Sequence, residues 1–264
     1  MSESADILVQ HDEGPIATVV FNRPRVRNAI SLAMWIEIPE VIDRLSKHEG
    51  IRAIVFRGAG TEAFASGADI AEFKEQRKDT ASALRYNQHT TAAYQAIRQC
   101  ALPTVAMIHG FCMGGAMAVA MACDLRFAAE GAKFGIPAAR LGIIYGADAV
   151  GQLVDLVGPA YAKDVLYSGR TVSDREAVAM GFLQRLLPPA ELERYTYDYL
   201  NSVADNAPLS VRGAKLMVES SVSGMTDEHR QRLRELQLTA MESQDYQEGT
   251  RAFLEKRRPR FQGR

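Results

Sequence analysis

Residues Ile108 to Phe127, "IHGFCMGGAMAVAMACDLRF", constrain the fold of this chain more than any other stretch. A β-branched run ends at a glycine, a glycine pair follows, and the next turns carry only alanine, valine and methionine. Glycine between a strand and a helix permits close backbone approach and leaves the first helical N–H groups outward and without partners. Such a turn serves either close helix packing or an anion. It matches neither GxGxxG nor GxxxxGK[ST], so a nucleotide phosphate cradle is not indicated.

The strand-then-helix alternation extends through the first half of the chain. Strands are predicted over Ile16–Asn22, Ala53–Gly58, Thr104–Gly110 and Asp124–Ala129, each short, rich in β-branched residues and ended by a turn residue. Helical patterns fall over Leu32–Lys47, Ala81–Gln99 and Gly114–Ala122, which argues for an α/β layered sheet. Beyond Leu141 the pattern turns helical. Ser173 and Glu176 form a capping box with Gly181 as its C-terminal stop, and two longer helices are expected over Glu191–Asp205 and Asp227–Gln244. The expectation is an α/β core over residues 1–190 and a helical region over residues 191–264.

Composition excludes some classes of partner. With 31 basic and 32 acidic residues the net charge is -1, which gives no electrostatic reason to expect nucleic acid or an anionic membrane. Cys100, Cys112 and Cys123 lack any CxxC or Cys/His ligand spacing and read as buried thiols of a reducing compartment, with no metal site. The N-terminal stretch "MSESADILVQHDEGP" has neither a basic n-region nor an apolar h-region, and no apolar run is long enough for a membrane span. A cytoplasmic protein is expected.

A second stretch, "TEAFASGADIAEF" from Thr61 to Phe73, again sets small residues between a strand and a helical run. Two backbone N–H groups converging on one carbonyl oxygen would polarise a thioester and stabilise its enolate. Together with "NRPRVRNAI", "AFASGADI", "AKFGIPAARLGI" and "EGTRAFLEKRRPRF", in that order from about Ile16 to Phe261, these segments make the chain resemble the crotonase, or enoyl-CoA hydratase/isomerase, family.

The resemblance implies a spiral of repeated ββα units with a C-terminal helical trimerisation region, and a homotrimer or homohexamer. It implies a lyase or isomerase of fatty-acid or aromatic-acid metabolism acting on an acyl-CoA thioester, with coenzyme A arriving as part of the substrate and no separate cofactor. Carried onto this sequence, the oxyanion donors are the N–H groups of Ala68 and Gly115. Ser66, Ala68 and Ile70, with Arg25 and Arg27 as phosphate ligands, would embrace the CoA moiety. Phe253 and Lys256 would reach a neighbouring subunit's CoA site. On charge placement alone, a basic helix end complementing its dipole explains Lys256 equally well.

In hydratases of that family two glutamates position water and move its protons. At the matching positions this sequence has Ala118 and Ala138, and alanine transfers no proton, so the two-glutamate route is closed. The loop "LGIIYGADAVGQL" is the nearest source of another group. Ungapped, Tyr145 falls on the reactive tyrosine of methylmalonyl-CoA decarboxylase, whose oxyanion-site histidine is here Ala68. Asp148 lies two residues beyond the aspartate of related isomerases, and helix capping accounts for it. Tyr145 is read either as a donor to the substrate or as aromatic packing. Arg140 is read as a surface cation or a partner for an acidic acyl group, and His89 as a weak acid/base candidate. Tyr86 and Tyr94, eight residues apart, share one helix face. Two further readings stay open: an acyl-CoA decarboxylase using Tyr145, and a non-catalytic CoA-binding protein.

Overall fold

The computed structural model describes residues 5–11 and 14–264; residues 1–4 and 12–13, part of the predicted core, lie outside the described residues. Ten strands are seen: β1 (Ile7–Gln10), β2 (Ile16–Phe21), β3 (Ala53–Gly58), β4 (Ala63–Ala65), β5 (Thr104–Ile108), β6 (Phe111–Met113), β7 (Leu125–Ala129), β8 (Lys133–Gly135), β9 (Val172–Ser173) and β10 (Arg185–Leu187). The helices are α1 (Leu32–Ser46), α2 (Phe73–Gln76), α3 (Thr80–Gln99), α4 (Gly115–Ala122), α5 (Ala147–Ser168), α6 (Asp174–Ala179), α7 (Pro189–Ala204), α8 (Pro208–Ser223), α9 (Asp227–Glu242) and α10 (Gln244–Leu254).

Three successive ββα units build the core. In each, a strand of a six-stranded sheet (order β1-β2-β3-β5-β7-β10) is followed by a short strand of a four-stranded sheet (β4-β6-β8-β9), and then by a helix. β3, β5 and β7 pair in parallel, as do β4, β6 and β8, so each turn of the spiral stacks on the previous one. The four predicted strands are β2, β3, β5 and β7. The second strands were hidden in the sequence because three residues carry no measurable period.

α4 is the axis of this arrangement. Residues 116–122 are all buried, so the helix needs small or flexible apolar side chains on every face, which explains its Ala/Val/Met composition. Its C-terminal carbonyls are met by Arg126, itself 2% exposed, whose guanidinium donates to the Cys123 (2.8 Å) and Ala120 (3.2 Å) carbonyls and to Phe182 O (2.8 Å). A cation at that end complements the helix dipole, while burial lowers its pKa to about 10.

α1 is capped by Ser31, whose side chain accepts from the Met34 N–H, and it buries Met34, Trp35, Ile38, Val41, Ile42 and Leu45 at helical spacing. α6 carries the predicted Ser173–Glu176 capping box, with Gly181 left-handed just beyond the helix. α7 covers the large sheet, with Leu192 and Leu200 against Val55, Val105, Met107 and Phe127. α8 was not anticipated; Lys215 anchors it to Asp124 (2.9 Å) and to the Leu102 carbonyl (3.0 Å). The C-terminal tail is held by buried Asp245, which accepts the N–H groups of Gln262 and Gly263 at 2.7 Å each. Among the described residues no helix is long and apolar enough to cross a membrane.

Candidate active site

A cleft of about 330 Å³ opens where the two glycine-bearing turns meet α1, α3 and the segment leading into α5. Its walls are Trp35, Tyr86, Tyr94, Ile136, Ala138 and Tyr145, and Ser66–Ala68 and Gly114–Gly115 form one end. Two larger grooves lie along the C-terminal helices and are lined mostly by polar and charged residues of both signs.

The backbone sets the direction of two amides. Ile30 N–H donates to Gly67 O (2.8 Å), and Ile30 O accepts from Asp69 N–H (2.9 Å). A trans peptide points its C=O and N–H oppositely, so the Ala68 N–H is turned away from Ile30. Gly67 can make this turn because its φ is +108°, and a Cβ there would stand 2.9 Å from Met113 O. In the second turn Gly114 has φ 51° and ψ -118°, and its carbonyl accepts from Met117 N–H (3.0 Å) and the Tyr145 hydroxyl (2.8 Å). The same argument sends the Gly115 N–H outward from the start of α4. A Cβ built on Gly115 would lie 3.4 Å from Ala68 N, so the two amides are neighbours, and neither has a hydrogen-bond partner among the described residues.

Tyr145 is therefore engaged with the protein backbone. Its ring packs on the core, and its hydroxyl holds the carbonyl of the peptide whose other end is the Gly115 N–H. Burial, with Tyr94 and Cys112 nearby, pushes the phenol well above its ordinary pKa, although the Ala118 amide beside it acts in the opposite sense. A neutral hydroxyl is the form present at neutral pH. Ala118 is buried behind the glycine turn and Ala138 lines the cleft. Tyr86 accepts from Trp35 Nε1 (3.0 Å), and Tyr94 meets the Trp35 ring edge-on at 5.4 Å.

Of the predicted CoA-binding residues, Ser66, Ala68 and Ile70 line the cleft. Arg25 and Arg27 lie outside it, on an exposed turn stitched to Ser66 by Ser66 N–H to Arg27 O (2.9 Å) and Ser66 Oγ to Val26 O (3.2 Å). Arg27 pairs with Glu62 (2.7 Å) and stacks on Phe111. Phe253 and Lys256 are remote from this chain's cleft. Phe253 is 84% exposed on α10, and Lys256 is left-handed (φ 53°) where that helix ends.

Three looser readings are decided by geometry. Asp148 is not the helix cap: Gly146 is, and Asp148 sits in the first turn of α5, lining the cleft and accepting from Gln95 (3.3 Å). Arg140 is the surface cation of the two alternatives: it is exposed and off the cleft, against Gly169 and the Ser168 carbonyl. His89 does not line the cleft. The cation that does is Arg77, which a polar run, "EFKEQRKDT", made indistinguishable from surface in the sequence.

Comparison with known proteins agrees with this architecture. Residues 11–264 match the enoyl-CoA hydratase/isomerase family. The chain is 28% identical to the short-chain-enoyl-CoA hydratase of Clostridium acetobutylicum, with 95% of each chain covered. It is 29% identical to the methylmalonyl-CoA decarboxylase of Escherichia coli, over 94% of this chain and 95% of the relative. The crystal structure of an enoyl-CoA hydratase from Bacillus anthracis superimposes with a TM-score of 0.91 at 28% identity, over 98% of this chain and all of that one. With its stacked ββα spiral and a match running almost from end to end, the chain belongs to the enoyl-CoA hydratase/isomerase family.

Proposed function

We propose that the cleft binds an acyl-CoA thioester and that the Ala68 and Gly115 amides receive its carbonyl oxygen as an enolate forms. The observation carrying this reading is the pair of neighbouring N–H groups at one end of the cleft, both without a hydrogen-bond partner among the described residues. Donors fixed by the backbone need no reorganisation as charge develops, which is the condition for strong transition-state stabilisation. The start of α4 adds the favourable end of a helix dipole. The Arg25–Arg27 turn, tied to Ser66 at the rim, is suited to the CoA phosphates. Phe253 and Lys256 would serve a neighbouring subunit's site in a homotrimer or homohexamer.

The chemistry after polarisation differs from two-glutamate hydration. Neither Ala118 nor Ala138 moves a proton, and the cleft's carboxylate is Asp148, solvent-exposed at its mouth. A second reading, decarboxylation, draws on the apolar wall and on the Tyr145–Gly114 bond at the oxyanion end. There the bond from Cα to the carboxylate breaks, its electron pair enters the thioester enolate, carbon dioxide leaves, and water later protonates Cα. No initial proton abstraction is needed.

A panel of enoyl-, methylmalonyl- and aromatic acyl-CoA thioesters, followed by mass spectrometry against an enzyme-free control, tests both. Expected are multiple turnovers on at least one thioester, with hydration of crotonyl-CoA at least ~10²-fold slower than in a relative retaining both glutamates. Loss of carbon dioxide from methylmalonyl-CoA would favour the second reading. Thioester binding with no product anywhere would leave a CoA-binding protein and defeat the catalytic claim.

A further inference from the structure

Among the described residues Arg77 is the one basic side chain lining the cleft, and no acidic side chain pairs with it. Its guanidinium carbon lies 4.5 Å from the centroid of the Phe73 ring and 5.0 Å from that of Tyr86. One terminal N–H group donates to Asn87 Oδ1 at 3.2 Å, while Nε is buried with no hydrogen-bond partner. Among the described residues it makes no ion pair. Of the acids near it in sequence, Asp69 pairs with Arg23 (2.8 Å), Glu72 accepts from the Leu32 N–H (2.7 Å) and Asp79 from the Ser82 N–H (2.7 Å), while Glu75, exposed two residues away, forms no ion pair with it.

The guanidinium sits against both rings, which meet each other edge to face at 5.7 Å, and these contacts hold in the cleft wall a planar cation able to make a two-point bond to a carboxylate. Nε is enclosed by protein, so a ligand carboxylate would be met by the terminal nitrogens, one of which already bonds Asn87 Oδ1. We infer that Arg77 recognises an anionic carboxylate on the acyl group, so that the preferred substrates are CoA thioesters of dicarboxylic acids. This rests on the acyl-CoA reading of the cleft. It concerns recognition: a carboxylate paired with Arg77 is stabilised in the ground state, so the residue selects the substrate without itself driving loss of carbon dioxide.

The test is calorimetric binding of pairs that exchange a terminal carboxylate for a methyl group, succinyl-CoA against butyryl-CoA and glutaryl-CoA against valeryl-CoA, with free CoA as reference. Wild type is expected to favour at least one carboxylated partner by roughly 10- to 100-fold, and Arg77→Met to erase that preference while binding free CoA as before. Arg77→Lys should keep part of it, since charge remains without the fork. Equal binding of the paired thioesters by wild type, or a preference that survives Arg77→Met, would overturn the inference and leave the acyl-CoA reading standing. Uniform weakening of free CoA and every thioester in Arg77→Met would make Arg77 a phosphate ligand, and would also overturn it. If wild type binds neither CoA nor any thioester, the acyl-CoA reading itself fails and this one falls with it.

Discussion

A methyl group at residue 115 would stand 3.4 Å from the Ala68 nitrogen and 3.2 Å from the Trp35 ring, crowding the space both amides face. Gly115→Ala is therefore expected to cost ~10²-fold in kcat, the scale of losing one oxyanion donor, with CoA affinity little changed. Tyr145→Phe makes a useful contrast. The tyrosine hydroxyl orients the Gly114–Gly115 peptide from its carbonyl end and polarises the N–H at the other, so its loss should lower kcat by roughly 3- to 10-fold, on the scale of one hydrogen bond. A direct proton donor would instead lose the larger acid/base factor and change the pH profile. Steady-state kinetics of both variants across pH 6–9 separates these outcomes; an unchanged Tyr145→Phe enzyme would remove the hydroxyl from the mechanism. Gly115 was legible in the sequence because glycine before a helix has few purposes. Arg77 and Arg126 were not, since an arginine declares its burial only through the rings and carbonyls that the fold brings to it.

Among elements, α3 was predicted almost to its ends, and the eight-residue separation of Tyr86 and Tyr94 did place both rings on one face, toward the cleft. What the spacing could not convey is how thoroughly that face is enclosed. Burial raises Tyr86 to about 12, outweighing the lowering by its Trp35 hydrogen bond. An unfolded tyrosine loses its proton near pH 10, so above that pH the folded chain holds more protons than the unfolded one, and stability falls. The contribution is complete below about pH 10 and is lost as the pH rises toward 12. The measurement is the melting temperature between pH 8 and 11.5: Tyr86→Phe should melt lower than wild type at pH 8 through the lost Trp35 bond, yet decline less steeply above pH 10. Parallel curves would show that Tyr86 ionises as freely in the folded protein as in the unfolded one. β4, β6 and β8 mark the other limit of sequence reading. Each is three residues long, and it is their parallel stacking on one another, a long-range property, that makes them strands.

For the whole molecule, the distribution of apolar surface requires an explanation that one chain does not supply. Phe253 and Leu254 are 84% and 76% exposed at the end of α10, and Leu238, Met241, Val218 and Val222 are more than half exposed on the neighbouring helices. Single exposed apolar residues are ordinary, but a set concentrated on the C-terminal helices is the signature of a protein–protein surface. Closed rings built from such a surface are cyclic, and the family resemblance singles out a trimer or its doubled form. Light scattering should give three or six times the 29.0 kDa chain mass. If Phe253 completes a neighbour's site, a Phe253→Asp chain still offers an intact cleft and a Gly115→Ala chain still offers an intact α10. Each variant alone should then be impaired, and mixed oligomers of the two should regain activity, because a Phe253→Asp cleft beside a Gly115→Ala neighbour has every part it needs. A monomer at all concentrations, or a mixture no more active than the average of its components, would confine the site to one chain and leave the exposed helices to some other contact.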